Sequence, residues 1–292
     1  MEKKHILEGT QFFVRFPMLA WLIVPFLGVF LAVNYLIGVT SQPQWVNQSS
    51  FLVSSNEEEQ VARSFQWEGE GLVTFWFDDA WESQYSVGLP ILESKNFPAA
   101  LAVPTHLVGA EAYMSWAQVR RVQHKGWEIT SHTRNHSCDE QALTPEIVES
   151  ELKGAKEDLD SQGVGSDHFV TPCGIQASIV KEVAKKYYLS FRTTEFGVNV
   201  LPLTDMYTIT ANSLEVNTSV DEVKEWIKEA EEKRGWLILV FHQIDESNSQ
   251  YSISPSTLQE IVEAVSASKI QVVVPTEAMK VAPGATSIGK KL

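Results

Sequence analysis

Beyond residue 66 the chain alternates short apolar runs with longer stretches in which apolar residues recur every three or four positions. The runs at 72–77 (LVTFWF), 99–103, 168–171, 189–193, 236–241 (WLILVF) and 270–274 have no helical period, as expected of strands buried on both faces. A further strand over 127–130 leads into Ser131-His132. Between them, helical spacing is carried by Tyr85, Leu89 and Leu92 over 84–94, and by a second helix over 116–124. Thr144-Pro145 starts a third helix, with a cap and a proline at its first position. A fourth is marked by Ile179, Val183 and Ala184; Ser219 and Glu222 make a capping box for a fifth, and Ser254-Pro255 opens a sixth. Strands alternating with helices imply parallel strands flanked by helices. Roughly seven or eight such units over about 215 residues predict an α/β chain folded as an irregular (β/α)7–8 barrel rather than an open sheet.

The first 65 residues follow a different pattern. Phe16 to Val39 is almost wholly apolar, and no Asp, Glu, Lys or Arg occurs from Phe16 through Asn56. That stretch is long enough to span hydrocarbon. Lys3, Lys4 and Arg15 precede it and the next cation is Arg63, so the N-terminus is expected in the cytoplasm and the rest outside. A signal peptide cleaved near Val39-Thr40-Ser41 is the rival, although the apolar run exceeds the roughly 7–15 residues of such segments. The expected organisation is a cytoplasmic tail (1–15), a single-pass membrane anchor (16–39) that contacts lipid, a Ser/Gln/Asn-rich stalk (40–65), a barrel domain (66–283) and a C-terminal tail (284–292). A net charge of −14 excludes a nucleic-acid partner, which needs a basic face, and leaves neutral sugars open. Two cysteines make no disulfide framework.

Candidate chemistry collects at the C-terminal ends of the predicted strands, which converge on one mouth in a parallel barrel. Asp78 and Asp79 end the first strand; an isolated carboxylate is costly to desolvate, so the pair should face water or a cation. His132 and His136 follow the third strand, and His242 follows the run 236–241. Two imidazoles and one carboxylate make an accepted catalytic zinc set, which either aspartate could complete. His242 lies where a general acid could deliver a proton. The bland alternatives are a solvated Asp-Asp turn and histidines hydrogen-bonded under loops. No comparable argument attaches to His5, His106, His124 or His168.

Phe77-Asp78-Asp79, then Ser131-His132 to His136 with His132 53 residues after Asp79, then Pro172-Cys173-Gly174 and Leu239 to His242, together resemble the polysaccharide deacetylase (NodB-homology, carbohydrate esterase family 4) family over roughly residues 68–280. The resemblance implies a deformed (β/α) barrel and a metal-dependent hydrolase that removes N-acetyl, sometimes O-acetyl, groups from polysaccharide. Peptidoglycan, chitin-like and poly-N-acetylglucosamine chains are the implied substrates, and a divalent cation, zinc above all, the implied cofactor. Carried over, Asp79, His132 and His136 hold the metal, Asp78 is the catalytic base and His242 the catalytic acid. Cys173, Arg192 and Leu239 fall towards the substrate or oxyanion, with the backbone N–H of Cys173 as the oxyanion donor. Departures from the family pattern are Ala80 for its glycine, Val170 for the arginine that orients the base, and Cys173 for its aromatic; its fourth motif has no clear match. Arg192, after the next strand, is the candidate for the missing charge. Cys138 and Cys173 read as two separate buried thiols, with a bond between them or an extra soft metal ligand as alternatives. Two other functions stay open: a catalytically silent glycan-binding relative, and a hydrolase of a C–N bond in a small molecule.

Overall fold

The computed structural model describes residue 67 and residues 69–281, so the expected tails, anchor and stalk lie outside the described residues. Among the described residues no helix is long and apolar enough to cross a membrane. The strands are β1 (Leu72–Phe77), β2 (Ala100–Val103), β3 (Glu128–Ser131), β4 (His168–Val170), β5 (Ser190–Arg192), β6 (Asn212–Ser213), β7 (Trp236–Phe241) and β8 (Gln271–Val272). The helices are α1 (Leu89–Glu93), α2 (Trp116–His124), α3 (Pro145–Ser161), α4 (Ser178–Tyr187), α5 (Val220–Lys233), α6 (Pro255–Ala267) and α7 (Pro275–Met279).

All strand pairs are parallel, in the order β5-β4-β3-β2-β1-β7-β6 with β8 beside the start of β1. The sheet curls into a half-barrel. Its edges are drawn together where Ile209, just before β6, bridges to Arg192 at the end of β5. Strand period two sorts the side chains. Leu72, Trp76, Trp236, Ile238 and Val240 form the cluster inside the curl, whereas Val73, Phe75, Phe77, Leu237, Leu239 and Phe241 pack under the helices. A third cluster joins α3 and α4 to Phe169 and Phe191. The interior is packed with large rings rather than left as a channel, so the C-terminal rim is the place for chemistry.

Predicted and observed elements differ where local covalent geometry intervenes. The helix expected over 84–94 begins as a π-turn, Gln84–Gly88, before α1. Pro90 has no N–H to continue an α-helical ladder, and the Leu89 N–H instead reaches back to the Gln84 carbonyl. The two-residue β6 and the short α7 carry too little periodicity to be read from sequence.

At the opposite end of the barrel lies a cavity of about 360 Å³ lined by Glu128, His168 and Thr276. Glu128 accepts hydrogen bonds from the backbone N–H and hydroxyl of Thr276 at 2.9 and 2.8 Å, tying β3 to α7. His168 Nε2 is 3.2 Å from Glu128, and its Nδ1 lies 2.8 Å from Ser190 Oγ. Burial pushes the Glu128 carboxyl up to about 7 and pulls the His168 imidazole down to about 4. As pH rises from 4 to 6.5, the unfolded chain sheds a His168 proton that the folded chain never bound, so this group favours folding increasingly. Glu128 acts oppositely between 4.5 and 7, because the folded state keeps its proton longer. Glu128→Gln removes only the second contribution. Its stability should therefore climb with pH between 4 and 6.5 more steeply than that of the unsubstituted protein, by on the order of 1–3 kcal/mol. Urea unfolding at several pH values tests this, and parallel profiles would contradict it.

Candidate functional site

Asp78, Asp79, His132, His136 and His242 line a single cavity of about 520 Å³ at the C-terminal rim. Asp78 continues the inward-facing series Leu72, Thr74, Trp76 of β1. Asp79 would by alternation face the helices, but Asp79 and Ala80 both adopt left-handed backbone, φ 77° and 59°, and the chain turns into the mouth. A glycine takes that conformation freely; Ala80 holds it at a cost of about 1–2 kcal/mol. This is the physical content of the alanine noted in the sequence.

His132 is buried, and its Nδ1 lies 2.9 Å from the Val170 carbonyl. The acceptor fixes the tautomer and leaves Nε2 bare. His132 Nε2 and His136 Nε2 lie 3.4 and 3.1 Å from Asp79 Oδ1. None of these approaches is aligned as a hydrogen bond, so Asp79 Oδ1 is a buried oxygen without a partner. The other oxygen, Oδ2, accepts from the Trp81 indole at 3.0 Å, and Trp81 stacks on Tyr113. Burial pushes the Asp79 carboxyl up, but the two imidazoles outweigh it and hold it well below the usual carboxylate range. The His136 imidazole is destabilised as a cation by burial, yet Asp79 raises it above its ordinary value overall. Three ligand atoms within 4.8 Å of one another, one of them orphaned, fit a divalent cation.

Arg192 is only 1% exposed, its guanidinium 2.5 Å from Asp78 Oδ2 and over the Trp76 ring at 5.1 Å. Its position explains Val170. Residues 170 and 192 are register partners on β4 and β5, so the charge missing from β4 is supplied by the adjacent strand. Asp78 Oδ1 has no partner and remains free. His242 stands across the mouth beside Tyr251, its Nδ1 also unpartnered, and burial lowers its imidazole despite the opposing charges of Asp78 and Asp79. Cys173 lines the cavity in left-handed backbone, φ 52°.

Two expectations are corrected. Leu239 is fully buried beneath the helices, because alternation along β7 turns Val240 rather than Leu239 to the cavity. The cysteines are not separate buried thiols; Cys138 and Cys173 form a disulfide, and both are exposed at the rim.

Sequence reasoning missed Gln84, whose buried Nε2 donates to the carbonyls of Asp78 at 2.5 Å and His242 at 2.9 Å. It also missed Ser213, Glu215 and Tyr251 on the cavity wall. A glutamine in place of an apolar residue on the inner face of a helix was the signal available for the first; the others sit in segments without period.

Residues 67–191 match the family model described as polysaccharide deacetylase. Among solved structures, the chain is similar to the Xyl-CE4 domain of a multidomain xylanase from the hindgut metagenome of Trinervitermes trinervoides, at 22% identity and TM-score 0.53 over 72% of this chain and 89% of that one. A family 4 carbohydrate esterase from Streptomyces lividans in complex with acetate matches at 18% identity and TM-score 0.52, covering 73% and 97%. A family 4 acetyl xylan esterase from Clostridium thermocellum in complex with a cobalt ion also matches at 18% and 0.52, covering 71% and 89%. These likenesses establish the fold. No curated protein matches the chain.

Removing one partner of a buried ion pair strands the other charge, at a cost of about 3–5 kcal/mol. Arg192→Leu should lose stability on that scale in urea unfolding; a loss below ~1 kcal/mol would show that Asp78 does not depend on the pair.

Proposed function

We propose, from the match of residues 67–191 to the polysaccharide deacetylase family model, that the protein is a membrane-anchored, metal-dependent N-deacetylase of a cell-surface or cell-wall glycan. The observation that carries this reading is the meeting, in one cavity, of the Asp79–His132–His136 ligand set with Asp78 and His242.

Asp79 Oδ1 and the Nε2 atoms of His132 and His136 would hold the ion. A divalent cation there supplies Lewis acidity, which polarises a carbonyl and makes a water easier to deprotonate. Zinc suits a set of two histidines and one carboxylate. Asp78 is the base: Arg192 occupies its Oδ2, so Oδ1 takes the proton of the attacking water. Arg192 also holds the Asp78 carboxylate in one orientation, with Oδ1 left towards the cavity. The Cys173 backbone N–H, on the cavity wall, would serve as the oxyanion donor. His242 protonates the departing amine, and burial, which lowers its imidazole, makes its protonated form a readier donor. Acetate and a free glucosamine unit result. Residues 16–39 would keep the domain at the outer face of the membrane, beside peptidoglycan, chitin-like or poly-N-acetylglucosamine chains.

Acetate release from acetylated chito-oligosaccharides and peptidoglycan, measured with metal content, tests this. Asp78→Asn should lose about 10²–10⁴-fold in turnover while retaining metal, and His132→Ala should lose both. Undiminished turnover in Asp78→Asn would reject the base. Bound metal with no acetate from any glycan would instead indicate a glycan-binding module.

A further inference from the structure

The three ligand residues of the proposed metal site are not held alike. His132 is 2% exposed and anchored through Nδ1, whereas His136 is 24% exposed and, among the described residues, its Nδ1 makes no hydrogen bond. His136 sits in left-handed backbone, φ 52°, on a loop fixed locally by its own N–H donating to Thr133 Oγ1 at 3.1 Å. Two residues further on, the Cys138–Cys173 disulfide ties this loop to the Pro172–Gly174 turn. These are the only two cysteines of the chain, both are exposed, and both line the cavity. A ring nitrogen of His136 and the two sulfurs lie within 4.8 Å of one another, as do the ligand atoms of Asp79, His132 and His136. The two sets therefore share His136.

We infer that the Cys138–Cys173 disulfide is a redox switch that decides which set holds the ion: Asp79–His132–His136 when oxidised, His136–Cys138–Cys173 when reduced. The inference rests on the metal site proposed above. A solvent dithiol is the reductant. Its thiolate attacks one exposed sulfur, the S–S bond breaks as a mixed disulfide forms, and the second thiol of the reductant displaces the other cysteine. Two electrons and two protons pass to Cys138 and Cys173, and the reductant leaves as its own disulfide. The freed thiols give up both protons on binding the ion. Thiolates are softer donors than a carboxylate and draw zinc or cobalt strongly, and a Cys2His set is itself an accepted zinc environment. Reduction thus both slackens the loop that carries His136 and offers the ion a competing seat.

The full-length chain loaded with one equivalent of cobalt(II), before and after anaerobic reduction, tests this without an activity assay. A phosphine serves as reductant, since it brings no thiol of its own; with one water it becomes the phosphine oxide and leaves two cysteine thiols. The oxidised protein should show only weak ligand-field bands, and reduction should add an intense thiolate-to-cobalt charge-transfer band. The Cys138→Ser/Cys173→Ser protein should lack that band under both conditions. His132→Ala should fail to bind cobalt when oxidised yet show the thiolate band when reduced. Cobalt bound by the oxidised protein with no thiolate band after reduction would overturn the switch. Failure of the oxidised protein to bind cobalt at all would count against the metal site itself. A thiolate band that disappears in reduced His132→Ala would show that the two sets do not compete, and would also overturn the inference.

Discussion

The contact on which the site depends is the buried pair between Arg192 and Asp78. A buried carboxylate needs a partner to offset its lost hydration, and the guanidinium comes from the next strand but three along the curl. Such a pair contributes little net stability, because desolvation of both groups offsets their attraction. Its value lies in fixing one carboxylate oxygen and leaving the other bare. The pairing also closes the fold, since the same residue that reaches Asp78 from the end of β5 bridges through its backbone to Ile209, where the two edges of the sheet approach. The orientation of Asp78 and the closure of the half-barrel are therefore set by one side chain and its backbone.

Much of this was legible in sequence. Apolar runs without helical period located the main strands, capping residues located α3, α5 and α6, and strand ends located Asp78, Asp79, His132, His136 and His242. Hydrophobic periodicity reports burial, and these elements are buried in long, regular stretches. Features depending on tertiary registration were not legible. That Arg192 replaces a charge absent at Val170 follows from cross-strand register, which a linear reading does not contain. The Cys138–Cys173 bond joins loops brought together by the pairing of β3 with β4. Leu239 was misplaced because a motif was read as a unit, whereas alternate residues of β7 face opposite layers.

The barrel carries buried polar clusters at both ends, and they differ in kind. Around Glu128 and His168 most donors and acceptors meet one another, tying α7 to the sheet. At the other rim, Asp78 Oδ1, Asp79 Oδ1 and His242 Nδ1 are all buried without partners. Orphaned polar atoms are costly, and these three, with Ser213 Oγ as a fourth in the same cavity, point to a place shaped for something other than the protein itself.

The single amide of Gln84 spans the carbonyls of Asp78 and His242. It acts as a spacer between the ends of β1 and β7, fixing the gap between the two groups proposed to move protons whatever the surrounding loops do. On the proposed function, insertions or deletions around the rim would redraw which polymer is admitted while the separation of Asp78 and His242 stays constant. The outline of the rim and the span across it would then be separable properties of one scaffold.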